Sequence, residues 1–153
     1  MTRRILSVIY SAITVSALAG CSAAGETVMQ DVDPFGWDEA AVIEYDNRDT
    51  VSLYDLSLTV RYGIELKVNQ LPLTITTVAP DSAYVSEPSV FFLKYDAKPA
   101  STAAVEQTAY RRSARLSQLG IYKIIIEPRV PLRGVEAVGI TFEKRGETWE
   151  KTN

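Results

Sequence analysis

One cysteine near the start of the chain has the sequence context that points most directly to a chemical reaction. Cys21 is the only cysteine among 153 residues, and it directly follows Leu18-Ala19-Gly20. An apolar, small-residue run from Ile5 to Ala19 lies before it, preceded by Arg3 and Arg4. A short basic start, an apolar segment and a small-residue cleavage site are typical of a secretory signal. As a helix of roughly 15 residues, the run would span only about 22 Å, less than the hydrocarbon core of a bilayer.

The position of Cys21 after these three residues resembles a bacterial lipobox. The motif implies a thioether between the Cys21 sulfur and diacylglycerol, cleavage of the chain before Cys21, and acylation of the new amine. We therefore predict a removed signal over residues 1–20 and, as the only non-protein group, a covalent diacylglycerol and N-acyl lipid on Cys21. The alternative is a signal that receives no lipid, with an incidental cysteine.

Composition narrows the chemistry open to the rest of the chain. Removing the signal leaves 133 residues, the size of one domain, with 14 basic and 19 acidic side chains and a net charge of −5. That charge argues against a nucleic-acid partner. The chain contains no histidine, which excludes Ser-His-Asp and Cys-His catalysis and histidine metal sites. We predict no catalytic residues, no metal site and no enzymatic activity.

The predicted domain begins where a polar stretch changes to an alternation of apolar and polar residues. Residues 21–33 are small, polar and acidic, which is typical of a flexible tether that carries the lipid. The folded domain is predicted over residues 34–145, beginning at Pro34-Phe35-Gly36-Trp37, and residues 146–153 form a tail.

Most of the predicted domain shows the period of two that indicates β-strands. In Leu53 to Tyr62, apolar even positions alternate with the polar odd positions that follow Leu53. In Ala137 to Phe142, one face carries Val138, Ile140 and Phe142, and the other carries Ala137, Gly139 and Thr141. Ile121 to Ile126 is apolar on both faces except at Lys123, which is typical of a central strand. Ala103 to Leu116 is compatible with a helix or a strand; we favour a strand from about Thr108, and a hairpin turn before Ile121. About seven such strands predict an all-β, antiparallel β-sandwich.

Several of these segments occur in a familiar order. Pro34-Phe35-Gly36-Trp37 is followed by Ile43-Glu44-Tyr45 and Tyr54-Asp55-Leu56-Ser57-Leu58. Asn69-Gln70-Leu71-Pro72-Leu73 comes next, and Leu132-Arg133-Gly134-Val135-Glu136-Ala137-Val138-Gly139-Ile140 leads into the last strand. Together with the lipobox, this order resembles the gliding-motility-associated lipoprotein family of the GldH type, over most of residues 34–143.

The resemblance implies a membrane-anchored, β-rich lipoprotein that serves as a structural or interaction subunit of the gliding-motility and secretion-associated envelope machinery. Its partners would be the lipid bilayer and other envelope proteins. Ser22 after the cysteine, and the lack of an early acidic run, favour the outer membrane and its periplasmic face. One departure concerns Phe91 to Pro99, which stands where the family has a Gly- and Trp-rich loop, so partner contacts through that loop do not carry over.

Two groups of side chains are candidate partner contacts. Phe91 and Phe92 would form an exposed apolar patch if their loop protrudes. Arg111, Arg112 and Arg115 form the only basic cluster after the signal; they would contact an acidic partner or phospholipid head groups, or else form a solvated face paired with nearby acids.

Two further patterns each leave an alternative open. A hairpin turn over Asp46 to Thr50 is favoured over a calcium site, because the segment lacks the spacing of a calcium-binding loop. The many tyrosines indicate core packing, with glycan or ligand binding by an exposed tyrosine row as the alternative function. Two carboxylates facing each other across a pocket would instead indicate a hydrolase.

Overall fold

A computed structural model describes residues 25–94 and 103–146 of the protein. Every regular element in those ranges is a β-strand, which confirms the predicted all-β class. There are eight strands rather than about seven: β1 (Glu26–Asp31), β2 (Ala41–Asn47), β3 (Leu53–Gly63), β4 (Gln70–Val78), β5 (Tyr84–Phe92), β6 (Ala103–Arg115), β7 (Gly120–Pro128) and β8 (Val135–Lys144). The predicted signal, Cys21 and all of the predicted tail except Gly146 lie outside the described residues.

The strands form two four-stranded antiparallel sheets packed face to face, so the predicted β-sandwich is confirmed. The first sheet has the order β1-β8-β3-β6 and the second the order β2-β7-β4-β5. The inward-facing side chains of both sheets share one core, whose fully buried members include Leu58, Ile75, Ile126 and Ile140. Tyr45 of the second sheet stacks on Phe142 of the first, with ring centroids 3.9 Å apart, so aromatic packing joins the two layers.

The strongest alternation predicted its strands correctly. In β3, Tyr54, Leu56 and Leu58 are buried, whereas the residues between them are only partly covered. β7 lies between β2 and β4, as its apolar sequence predicts. β8 is the neighbour of β3 and turns Ile140 and Phe142 into the core. Period-two patterning is reliable here because each of these strands has one face on the core.

The ambiguous segment before Leu116 is a strand over its whole described length. β6 pairs with β3 from the Gly63–Ala103 pair to the Leu53–Arg115 pair, with two irregularities in the register. Ten residues of β3 therefore have a partner in β6. Non-local pairing of this extent overrides the weak helix preference of Ala, Glu and Gln.

Two predicted hairpin turns are wrong, because both segments cross between the sheets. Residues 116–119 connect β6 of the first sheet to β7 of the second, and residues 48–52 connect β2 to β3. The buried side chain of Asn47 joins the two crossings: its Nδ2 donates to the backbone oxygens of Leu116, at 2.9 Å, and Gln118, at 2.8 Å. A turn signal in the sequence marks a reversal but not the sheet that the chain enters next.

The flexible tether predicted for residues 21–33 is wrong over residues 26–31, because Glu26–Asp31 is strand β1. β1 pairs with β8 along all six residues. Thr27 and Thr141 hydrogen-bond through their hydroxyls at 2.8 Å, and Arg61 forms an ion pair with Asp31 at 2.8 Å. The strand is polar because it lies at the edge of the sheet. The domain thus begins by Glu26 and not at Pro34.

Candidate functional site

A groove of about 600 Å³ lies at one end of the sandwich, where the second sheet meets two loops. The start of β4 and the side chain of Val90 on β5 form its floor. Residues 64–69, after β3, and residues 129–134, before β8, form its walls. We call this feature the distal groove, since β1 begins at the opposite end of the sandwich. Its lining is Glu65, Lys67, Val68, Asn69, Gln70, Pro72, Val90, Val130, Pro131, Leu132 and Arg133.

Buried leucines hold both walls of the distal groove. Leu66 is fully buried, and its loop packs so closely on Gly134 that a Cβ there would lie 2.2 Å from the Leu66 nitrogen. Gly134 also has a φ of +90°, a left-handed conformation that favours glycine. Leu132 is buried in the other wall and exchanges two backbone hydrogen bonds of 2.9 Å with Trp37. Both walls are therefore fixed to the core by buried side chains.

The distal groove exposes apolar side chains between polar ones. Val68, Val90 and Val130 are 46%, 45% and 50% exposed, which is high for valine in a structured segment. The polar part of the lining includes an ion pair between Arg133 and Glu65, whose closest atoms are 3.8 Å apart. An apolar centre with a polar margin is the usual composition of a protein-binding surface.

The two predicted aromatic contacts separate on the two faces of β5. Phe91 is 4% exposed and lies in the core, with its ring centroid 6.1 Å from that of Tyr110, so its prediction as a partner contact is wrong. Phe92 is 59% exposed and pairs with Gln70, a residue of the groove lining. Successive strand residues point to opposite faces, so a patch containing both rings was not available. The segment from Tyr95 to Pro99 lies outside the described residues.

The three arginines predicted as one contact group have different surroundings. Arg111 forms an ion pair with Glu87 of β5, and its guanidinium lies 5.5 Å from the Tyr110 ring centroid. Glu87 also accepts a hydrogen bond of 3.0 Å from the Tyr110 hydroxyl. Arg111 therefore helps to join β6, the edge strand of the first sheet, to β5, the edge strand of the second. Arg112 and Arg115 are exposed and form no ion pair with the described residues.

The described tyrosines belong mainly to the core, as predicted. Tyr45, Tyr54, Tyr62 and Tyr122 are buried, Tyr110 is half-buried, and Tyr84 is strongly exposed. Burial raises the pKa of Tyr45 well above its ordinary value of 10.0, with a further contribution from the Tyr54 hydroxyl. In the described part of the chain, Tyr84 is the only strongly exposed tyrosine, so the row of tyrosines that glycan stacking requires is not formed there.

A second pocket, of about 300 Å³, has four carboxylates in its lining: Asp31, Asp33, Asp38 and Glu39. Two of them have structural partners, since Asp31 binds Arg61 and Asp33 accepts a 2.9 Å hydrogen bond from the Phe35 backbone. No group of three or more Cys, Asp or Glu side chains within residues 25–94 and 103–146 is arranged to hold a metal ion. The turn near Asp49 is stabilised internally, as Asp49 accepts from the backbones of Val51 and Ser52.

Comparison with known proteins found no matching family model and no matching curated sequence. The described ranges contain no helix of the length and apolarity needed to cross a bilayer. The GldH-type resemblance therefore stays a prediction that depends on the order of sequence segments.

Proposed function

We propose that this protein is a lipoprotein anchored in the membrane through Cys21 that acts as a non-enzymatic interaction subunit of the cell envelope. The distal groove carries the proposal, because it combines exposed valines, a polar margin and walls fixed to the core. The assembly that we propose, the gliding-motility and secretion-associated machinery, rests on the resemblance alone. The outer membrane, facing the periplasm, is the proposed location.

The position of the groove decides what kind of partner it fits. β1 starts at one end of the sandwich and the groove lies at the other, so Glu26, the first residue of β1, and the groove are separated by the length of the strands. β3 has 11 residues, and at about 3.3 Å per residue this length is roughly 36 Å. A sandwich that stands upright on the anchor holds the groove away from the bilayer lipid. We therefore propose an apolar segment of a partner protein, bordered by polar residues, as the occupant.

The anchoring part of the proposal is tested with Cys21→Ala. The substitution removes the sulfur that would carry diacylglycerol, so we expect the chain to lose palmitate labelling and to leave the membrane pellet. The matched control is Ser22→Ala, which leaves the thiol in place and should keep both properties. Palmitate labelling of the Cys21→Ala chain would contradict the anchoring.

The groove part is tested by affinity purification from crosslinked envelopes with Val90→Asp and Val130→Asp. A carboxylate in the apolar centre must be desolvated when the partner binds, so each change should weaken binding by at least about 2 kcal/mol, roughly thirtyfold. Val42→Asp is the control, because Val42 is equally exposed, at 42%, but lies on β2 outside the groove lining.

Circular dichroism and thermal midpoints should show that all three aspartate variants remain folded, because each replaced valine is already in contact with solvent. Recovery of envelope partners with Val42→Asp but not with the groove variants is the expected result. Equal recovery with all variants would contradict the assignment of the groove, while leaving the anchoring test unaffected.

A further inference from the structure

The end of the sandwich at which β1 begins carries two exposed apolar loop tips. This end is formed by the start of β1, the crossing loops 48–52 and 116–119, the loop 79–83 between β4 and β5, and the last residues of β8. Val51 in the first loop is 78% exposed, and Leu119 in the second is 65% exposed. We call it the proximal end. The two crossings are held together by Asn47, so both tips have fixed positions.

The chain between the anchor and this end is short. Gly25 is the first described residue, and it follows Cys21 by four positions. Even fully extended, four residues reach only about 14 Å. Because β1 takes up residues 26–31, the chain between Cys21 and the domain is shorter than the predicted tether of residues 21–33. With Cys21 lipidated, as our proposed function requires, the proximal end stays close to the head groups.

The charges at the proximal end are balanced between the two signs. Its cations are Arg48, Arg112, Arg115, Lys144 and Arg145, and its acids are Glu26, Asp46, Asp49, Asp55, Asp81 and Glu143. Three ion pairs join members of these sets, namely Arg48–Asp46, Lys144–Asp49 and Arg145–Asp55. Because no positive excess remains, attraction to anionic lipid does not explain a contact here. Any contact with a membrane has to be made by the apolar tips.

We propose that the proximal end rests on the bilayer surface, with Val51 and Leu119 inserted among the phospholipid head groups. Apolar side chains at an interface enter about 5–10 Å into the boundary between head groups and acyl chains, a depth that two loop tips can reach. The contact orients the sandwich upright and turns the distal groove away from the membrane. The short tether makes this orientation stable, since it keeps the tips at high local concentration next to the lipid.

The test uses the full chain, lipidated in cells and reconstituted into phosphatidylcholine vesicles. Val51→Cys, Leu119→Cys and the control Val130→Cys each provide one thiol, because Cys21 is the only native cysteine and its sulfur is occupied by lipid. Each thiol carries an environment-sensitive nitrobenzoxadiazole probe. The readouts are emission wavelength, quenching by bromine-labelled lipid, and quenching by aqueous iodide.

We expect the probes at positions 51 and 119 to emit at shorter wavelength than the probe at 130, and bromolipid to quench them several-fold more strongly. High salt and added phosphatidylglycerol should change neither result, since the contact is apolar. Equal iodide access at all three positions would overturn the proposal. Loss of iodide access without bromolipid quenching would also overturn it, because protein would then cover the tips. Labelling of the wild-type chain at Cys21 would instead contradict the lipid anchor itself, and with it the contact of the proximal end with the bilayer.

Discussion

Asn47 is the buried polar residue on which both inter-sheet crossings depend, and its removal gives the sharpest stability prediction. The side chain is 1% exposed, and its amide donates to two backbone oxygens. In Asn47→Ala, the Leu116 oxygen stays buried without this donor at a cost of about 1–3 kcal/mol, and the partly exposed Gln118 oxygen adds about 1 kcal/mol. We therefore expect a loss of about 2–4 kcal/mol, a large fraction of the stability of a domain of this size.

Urea unfolding followed by circular dichroism measures this loss. The midpoint should fall while the slope with denaturant is unchanged, because the same surface becomes exposed on unfolding. The control is Asn69→Ala, which removes the same side chain from an exposed loop and should cost below about 0.5 kcal/mol. A loss under about 1 kcal/mol for Asn47→Ala would refute the reasoning, because it would mean that the two oxygens need no donor.

Asn47→Asp separates the hydrogen-bond argument from simple loss of volume. The carboxylate has nearly the same shape but presents an oxygen where the amide donated to two oxygens. At pH 7 this variant should be less stable than Asn47→Ala, since a buried charge then faces two acceptors. Its stability should recover as the pH falls, because protonation restores a donor. Wild-type stability of Asn47→Asp at pH 7 would contradict the assigned donor geometry.

Two further predictions concern the edge strand and the acid range. Gly139→Val should detach β1 from β8, because a Cβ at Gly139 would lie 2.1 Å from the Val28 carbonyl oxygen. Hydrogen exchange should then show faster amide exchange in residues 26–31, while the core stays protected. Unchanged protection of the β1 amides would contradict the close approach of Gly139 and Val28. The ion pair with Lys144, followed by the backbone donors of Ser52 and Val51, holds the pKa of Asp49 below its ordinary value of 3.8. The free energy that the ionised Asp49 carboxylate contributes to folding is therefore present above about pH 3.8, and it is lost as the pH falls through the lower folded-state pKa. The difference in stability between wild type and Asp49→Asn should therefore shrink in acid. A difference that stays constant from pH 6 to about pH 2 would contradict the ion pair between Asp49 and Lys144.

Most of the fold can be predicted from the alternation of buried and exposed side chains along single strands. In β3 and β8 one face packs on the core, so the alternation of Leu56, Leu58 and Ile140 predicts both strand and inner face. The edge strand β1 packs only Val28 against the core, and the rest of its sequence is polar enough to resemble a tether. Only pairing with β8, far away in the sequence, makes residues 26–31 a strand, and that pairing leaves no local signal.

Neither the distal groove nor the two crossings between the sheets could be predicted from the sequence, and the physical reason is the same for both. The walls of the distal groove come from segments around Val68 and Val130, which are far apart in the chain and meet where the loop of Leu66 packs on Gly134. The exposure of Phe92 and the burial of Phe91 depend on the register of β5, which the sequence leaves open. Cys21, in contrast, belongs to a contiguous motif, so its chemistry can be predicted from local sequence.

The most direct test of the central claim is photocrosslinking in living cells, with a benzophenone amino acid at Val130 in the distal groove and, separately, at Val42 on the outer face of β2. We expect the probe at Val130 to form discrete adducts with envelope proteins and the probe at Val42 to form none. The same adducts from both positions, or none from Val130 while the chain is folded and membrane-bound, would contradict the groove as the partner-binding surface.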